Sequence, residues 1–161
     1  MRRVVTLAEL VEMRPGWRLA GLHLVLTNGT FDLLHIGHIR YLEEARRLGD
    51  ILVVCINSDE SVRGYKGEGR PVVPEAERAE VVAALRSVDY TVIFNEPTAE
   101  RMVETLQPEV YVKGGDYGEG GKSLPEAEAA RSYGGEVRIV PFVQGHSASD
   151  LIRRVERPHK G

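Results

Sequence analysis

The chain has a single cysteine, Cys55, so neither an intrachain disulfide nor a cysteine-rich zinc site can form. Excess positive charge is missing too. The formal net charge of −3 argues against broad binding along nucleic-acid backbones, while leaving room for a local basic pocket. No apolar run approaches the roughly 18 residues of a membrane span. The start, Met1-Arg2-Arg3-Val4-Val5, lacks the apolar stretch of a signal peptide. There is no internal repeat and no low-complexity block, and the histidines His23, His146 and His159 have no spacing that suits a metal. These absences lead to the expectation of a cytoplasmic protein that engages neither membrane nor nucleic acid.

What is present is ordinary globular composition, 42% hydrophobic and 28% charged over 161 residues, which predicts a single domain with one substantial core. Residues 1–20 read as an N-terminal helical segment and 22–157 as an α/β core. Thr6 with Glu9 is a capping box that opens a helix, expected to end at Pro15-Gly16. Leu22 to Leu26 reads as a buried strand, and a helix over about Gly37 to Leu48 carries Ile39, Leu42, Ala45 and Leu48 on one face. Ile51 to Ile56 is apolar on both faces, as in a parallel sheet covered by helices on both sides. A long polar loop is expected from Asn57 to Pro74, a length that points to function. Beyond it the pattern predicts a helix over Glu75–Arg86, a strand over Tyr90–Phe94, a helix over Thr98–Leu106 and a short strand over Val110–Val112. A helix opening around Ser123, Pro125 and Glu126, a strand over Val137–Val140 and a last helix from near Ser147 complete the chain.

The alternation predicts a doubly wound, Rossmann-like parallel sheet of five strands with helices on both faces. Ligands bind such sheets beyond the carboxyl ends of the strands. Four polar segments should meet there: Thr27 to His38, Asn57 to Arg70, Lys113 to Tyr117, and Gln144 to Ser149.

The sharpest chemical signal is His35-Ile36-Gly37-His38 between a strand and a helix. Residues three apart in a first helical turn face the same side, which brings the two imidazoles together. Gly37 permits close backbone approach, and a helix start offers amide donors and a positive dipole end to an anion. Such a constellation stabilises charge on a transferring phosphoryl group. The ordinary alternative is a capping histidine beside a surface histidine. Lys66 and Arg70 are cations suited to phosphate in a glycine-containing loop, the alternative being a solvated loop. Ser147 and Ser149 can donate to phosphate at a helix start. Arg78, early in a helix, is either a ligand contact or a surface ion pair. His146 either reaches the site or lies on a surface loop. Cys55, bracketed by apolar residues, reads as a buried inert thiol, and Trp17 as a packing or dimer contact.

Thr27-Asn28-Gly29-Thr30-Phe31-Asp32-Leu33-Leu34-His35-Ile36-Gly37-His38 resembles the first signature of the cytidylyltransferase-like nucleotidyltransferases. Asn57-Ser58-Asp59, Lys66 to Pro71, and Lys113-Gly114-Gly115-Asp116-Tyr117 extend the likeness over nearly the whole chain. The last of these favours the branch that makes ADP-heptose from heptose 1-phosphate over the glycerol 3-phosphate cytidylyltransferases. The resemblance implies AMP transfer from ATP to a sugar 1-phosphate with Mg²⁺, in a homodimer. Transfer from CTP to glycerol 3-phosphate or another polyol phosphate is the alternative, and a non-catalytic nucleotide sensor a further one. It implies catalytic roles for His35, His38, Lys66 and Arg70. Nucleotide contacts are expected from Thr27, Asn28, Gly29, Thr30, Phe31, Gly37, Lys113, Gly114, Asp116, Ser147 and Ser149. Asp32, Asn57, Asp59 and Arg78 are expected at the acceptor or, for Asp32, at Mg²⁺. Two departures stand out. No kinase domain accompanies the signature, so a separate sugar kinase is expected upstream. The late signature, usually glycine-x-serine-threonine-threonine, here reads Gly145-His146-Ser147-Ala148-Ser149 and lacks the hydroxyl at Ala148.

Overall fold

The computed structural model describes residues 3–115, 124–141, 143 and 145–157. Its elements are α1 (Leu7–Leu19), β1 (Leu24–Gly29), α2 (Ile36–Arg46), β2 (Ile51–Asn57), α3 (Asp59–Lys66), α4 (Glu75–Ala83), β3 (Tyr90–Phe94), α5 (Glu100–Leu106), β4 (Val110–Gly114), α6 (Pro125–Ser132), β5 (Glu136–Val140) and α7 (Ala148–Glu156). The strands form one sheet in the order β3-β2-β1-β4-β5, with every neighbouring pair parallel. The five-stranded doubly wound arrangement is the expected one.

Successive strand residues point to opposite faces, and both faces are buried, so β2 is apolar from Ile51 to Ile56 and β1 from Leu24 to Leu26, before it turns polar at Thr27-Asn28-Gly29. Leu24, Leu26, Val53 and Cys55 pack with Leu10 of α1, Val103 and Leu106 of α5, and Ala130 of α6. Val25, Leu52, Val54 and Ile56 face the other way, onto Leu42 and Ala45 of α2 and Ala79 and Val82 of α4. Each fully buried aliphatic side chain contributes about 1.5–3 kcal/mol. Cys55 is buried as expected, and burial pushes its thiol well above the ordinary range.

Three local expectations are corrected. Helix α1 has the capping box on Thr6 and Glu9 but passes through Pro15 to Leu19. Tertiary contacts on both sides of the proline hold it: Trp17 packs on Tyr90 at 5.6 Å, and Arg14 bonds to the carbonyls of Leu106 and Gln107 at 2.8 Å each. The stop comes instead at Gly21, in the left-handed region at φ 72, where the amides of Gly21 and Leu22 bond back to Arg18 and Trp17. The supposed loop after Asn57 contains helix α3, capped by Ser58 and anchored by the fully buried Val62. One buried apolar residue and an internal glycine leave too weak a periodic signal for that helix to be read from sequence. Lys66 therefore ends a helix rather than sitting in a loop, and Lys113 and Gly114 lie inside β4 rather than after it. Helix α6 has Leu124 at its cap with no side-chain bond, and Ser123 lies outside the described residues.

The topology decides where a ligand can go. From β1 the chain steps outward to β2 and β3, then returns across the sheet to β4 on the other side of β1. The connections on either side of β1 and β4 thus diverge, opening a crevice at the carboxyl ends of these strands.

Candidate active site

A cavity of about 780 Å³ occupies that crevice. All four expected polar segments reach it. The end of β1 and the following turn bring Asn28, Gly29, Thr30 and Phe31. Helix α2 brings His35, Gly37 and His38. Asn57, Lys66, Lys113 and Gly114 come from β2, α3 and β4, and Ser147 and Ser149 from the start of α7. Asp116 lies outside the described residues.

The paired histidines build their own helix cap. His35 takes the N-cap position with extended backbone, and its Nδ1 accepts the amide of Gly37 at 3.1 Å. His38 Nδ1 reaches back to accept the amide of His35 at 3.3 Å. An imidazole nitrogen that accepts an N–H bond carries no proton, so each neutral ring holds its proton on Nε2. The rings lie 3.9 Å apart. Burial, followed by the charges of His35 and Lys66, lowers the His38 pKa to about 4. Burial and His146 lower that of His35, with Asp150 opposing. Both rings are therefore neutral Nε2–H donors at neutral pH. The α2 amides serve differently from expectation: Gly37 N–H is held by the His35 ring and His38 N–H bonds to His35 O at 3.0 Å. The imidazoles, rather than those amides, present the donors. Gly37 is required by the same fold-back, since a Cβ there would lie 2.8 Å from Cε1 and Nδ1 of His35.

Cations flank the donors. Lys66 has its pKa lowered by burial and by Arg70, with Asp32 opposing. Lys113 has its pKa lowered by burial, with Glu126 opposing. Glu126 is itself buried and accepts the Ala99 amide at 2.9 Å, tying α6 to α5.

Five expected contact residues do not line the cavity but hold up its walls. Thr27 is fully buried with its hydroxyl 2.5 Å from that of Tyr41, which donates to Val112 O. Asp32 is buried and accepts the amides of Val72 and Val73, with Arg70 3.7 Å away. Arg78 is fully buried, not a surface ion pair. Its guanidinium donates to the carbonyls of Val73, Thr30 and Asn57 and to Asp59 at 2.8 Å. Arg70 and Asp59 are thereby engaged in pinning the turn after β1 to the α3–α4 connection. Ser147 also departs from expectation, because its hydroxyl caps α7 by accepting the Asp150 amide and donating to the Asp150 carboxylate.

The structure adds Tyr41, Tyr65, Pro97, Glu126, Val143, His146 and Asp150 to the lining. Tyr65 pairs with the Thr30 hydroxyl. Apart from His146, which sits in the late signature, no local pattern marks these residues, because only folding brings α2, α3, α6, α7 and the segment before α5 together around the crevice. His146, left open between site and surface, lies in the site.

The cytidylyltransferase-like family model matches residues 26–154, from β1 into α7. The chain belongs to the cytidylyltransferase-like family of nucleotidyltransferases. Known proteins show how far the likeness extends. The bifunctional protein HldE of Koribacter versatilis is 52% identical over 152 residues, covering 94% of this chain and 31% of that protein. HldE of Geotalea uraniireducens is 48% identical over 157 residues, covering 95% and 31%. The chain thus spans 31% of the length of these curated relatives. The crystal structure of the lipopolysaccharide core biosynthesis protein from Thermoplasma volcanium superimposes with a TM-score of 0.62 at 30% identity, covering 78% of this chain and 100% of that one. Pantothenate synthetase from Thermus thermophilus, 22% identical with a TM-score of 0.53 over 88% of this chain and 62% of its own, shares the fold. Among the described residues no helix of this cytidylyltransferase-like chain is long and apolar enough to cross a membrane.

Proposed function

We propose that the chain transfers AMP from ATP to heptose 1-phosphate, giving ADP-heptose, a lipopolysaccharide precursor, and pyrophosphate. The observation that carries this reading is the pair of neutral imidazole donors facing a cavity flanked by Lys66 and Lys113. The identity to HldE proteins favours ATP and a heptose phosphate over CTP and a polyol phosphate. An acceptor phosphate is already ionised at neutral pH, so no protein nucleophile is required. One of its oxygens attacks the α-phosphorus in line, a new P–O bond forms, the α–β bridge breaks, and pyrophosphate leaves. Catalysis is then positioning plus charge stabilisation. The Nε2–H groups of His35 and His38 donate to oxygens of the transferring group, while Lys66 and Lys113 balance its charge. Mg²⁺ is proposed as the ion carried on the triphosphate. Among the described residues no group of three His, Cys, Asp or Glu side chains is placed to hold a metal, and Asp32 already accepts two amides. The acceptor would come from a sugar kinase, and a homodimer belongs to the same proposal.

His38→Ala should lower kcat by at least about a hundredfold, as loss of one transition-state donor does. Pyrophosphate release measured with ATP and with CTP, against heptose 1-phosphate and glycerol 3-phosphate, tests the whole reading. Release with ATP and the heptose is the expected outcome. Turnover only with CTP, or a His38→Ala variant as fast as wild type, would overturn it.

A further inference from the structure

The late signature carries a histidine where the residue type is not set by the resemblance, and the structure places it on the cavity lined by His35 and His38. His146 stands immediately before Ser147, the N-cap of α7, in a turn opened by Gly145 at φ 78. Its ring lies nearly parallel to that of His35, with centroids 6.3 Å apart and an angle of 25°. A Cβ on Gly37 would sit 3.6 Å from His146 Cβ, so the turn before α7 rests against the start of α2. Three imidazoles therefore line one cavity between two helix N-termini, both of which favour an anion.

The three are not equivalent. His35 and His38 use Nδ1 as acceptors in the α2 cap, so a second proton on either ring breaks a bond that holds the turn. His146 makes no hydrogen bond among the described residues, and both its ring nitrogens can hold protons without breaking anything. We propose, on the reading that this cavity receives a polyphosphate, that His146 is a third phosphate-binding imidazole and the one that takes up a proton when the polyanion arrives.

The charges facing it frame that role. Lys66 of α3 and Lys113 of β4 oppose a further positive charge, Glu126 of α6 and Asp150 of α7 favour it, and the neutral rings of His35 and His38 of α2 add no net charge. Asp150 is already bonded to Ser147 and paired with Arg153. A bound polyphosphate adds several negative charges on the side of Glu126 and Asp150 and tips this balance toward the imidazolium.

The test uses inorganic tripolyphosphate, which has no base and no transferable nucleoside. Its binding is therefore independent of whether AMP transfer is the reaction. Calorimetric titrations near pH 7 in two buffers of different ionisation enthalpy report proton uptake directly. Wild type should bind with net uptake of a fraction of a proton and should bind more tightly at pH 6 than at pH 8. H146Q keeps a neutral donor but cannot take the proton. It should bind roughly three- to tenfold more weakly at pH 6, lose the uptake and lose most of the pH dependence. H23Q, altered at the opposite end of β1, should behave as wild type. Equal affinity and equal proton uptake in wild type and H146Q would overturn the proposal, as would tripolyphosphate binding by wild type with no uptake. A pattern lost in H146Q, in a chain that releases no pyrophosphate from ATP or CTP, would sustain the role of His146 while removing the proposed transfer.

Discussion

His35 and His38 serve first as structural caps, and this sets their chemistry. Serine or aspartate at an N-cap would satisfy the same amides, but neither leaves an N–H donor pointing away from the helix. Imidazole does both, because one nitrogen accepts while the other donates. The arrangement also has a pH signature. His38 titrates at about 4 when folded, against an ordinary value of 6.5. Between those values the unfolded chain holds more protons, so stability rises with pH across that window. Its contribution is complete above about 6.5 and is lost as pH falls toward 4. The full shift corresponds to about 3 kcal/mol, reduced to about 1–3 kcal/mol by the ring's partial exposure. Calorimetric melting of wild type from pH 7 to pH 5 should show a fall in Tm that is clearly shallower in His38→Gln. Parallel curves for the two proteins would mean that His38 does not titrate in this window.

At the scale of the element, the site depends on a brace that touches no ligand. Arg78 links the carbonyl of Thr30 after β1, that of Asn57 at the end of β2, that of Val73 before α4, and the carboxylate of Asp59 at the start of α3. Asp32 holds the same connection from the other side. The turn that carries Phe31 and the helix that carries Lys66 are thereby fixed relative to each other. Arg78→Met leaves three buried carbonyls and a carboxylate without their cation, so it should destabilise the fold by about 3–5 kcal/mol. The exposed pair Arg47–Glu44 offers the contrast: Arg47→Met should cost less than about 0.5 kcal/mol. Urea unfolding midpoints at unchanged m-value measure both, and similar small shifts for the two would remove the brace from this account.

For the molecule as a whole, the crevice is a product of strand order. Because β4 returns beside β1, segments far apart in the chain, including Asn28, Lys113 and Ser147, bound one cavity. A ligand seated there ties both halves of the sheet and α7 together, so it should stabilise the whole domain cooperatively. At a free concentration of 100 times Kd the gain is about 2.7 kcal/mol. In a domain of this size that raises Tm by roughly 6–10 °C. ATP should raise Tm more than CTP at equal concentration in a thermal-shift measurement. Equal shifts would remove the preference for adenine, and no shift with either would argue against a nucleotide site.

Sequence alone determined those features that rest on local chemistry. The strand cores are legible because burial on two faces demands apolar residues throughout. The His35-Ile36-Gly37-His38 turn is legible because a capping pair needs fixed spacing. Convergence of four polar segments follows from strand–helix alternation. Only the tertiary structure decided the rest. Pro15 does not end α1, because packing of Trp17 and Arg14 outweighs a lost backbone bond. Residues after Asn57 form a helix that one buried valine anchors. Arg78, Asp32 and Asp59 brace the walls, while His146 enters the cavity. A charged residue's spacing is the same whether it meets a ligand or a buried carbonyl. Which partner it finds depends on atoms brought close by folding, and that information is non-local in the chain.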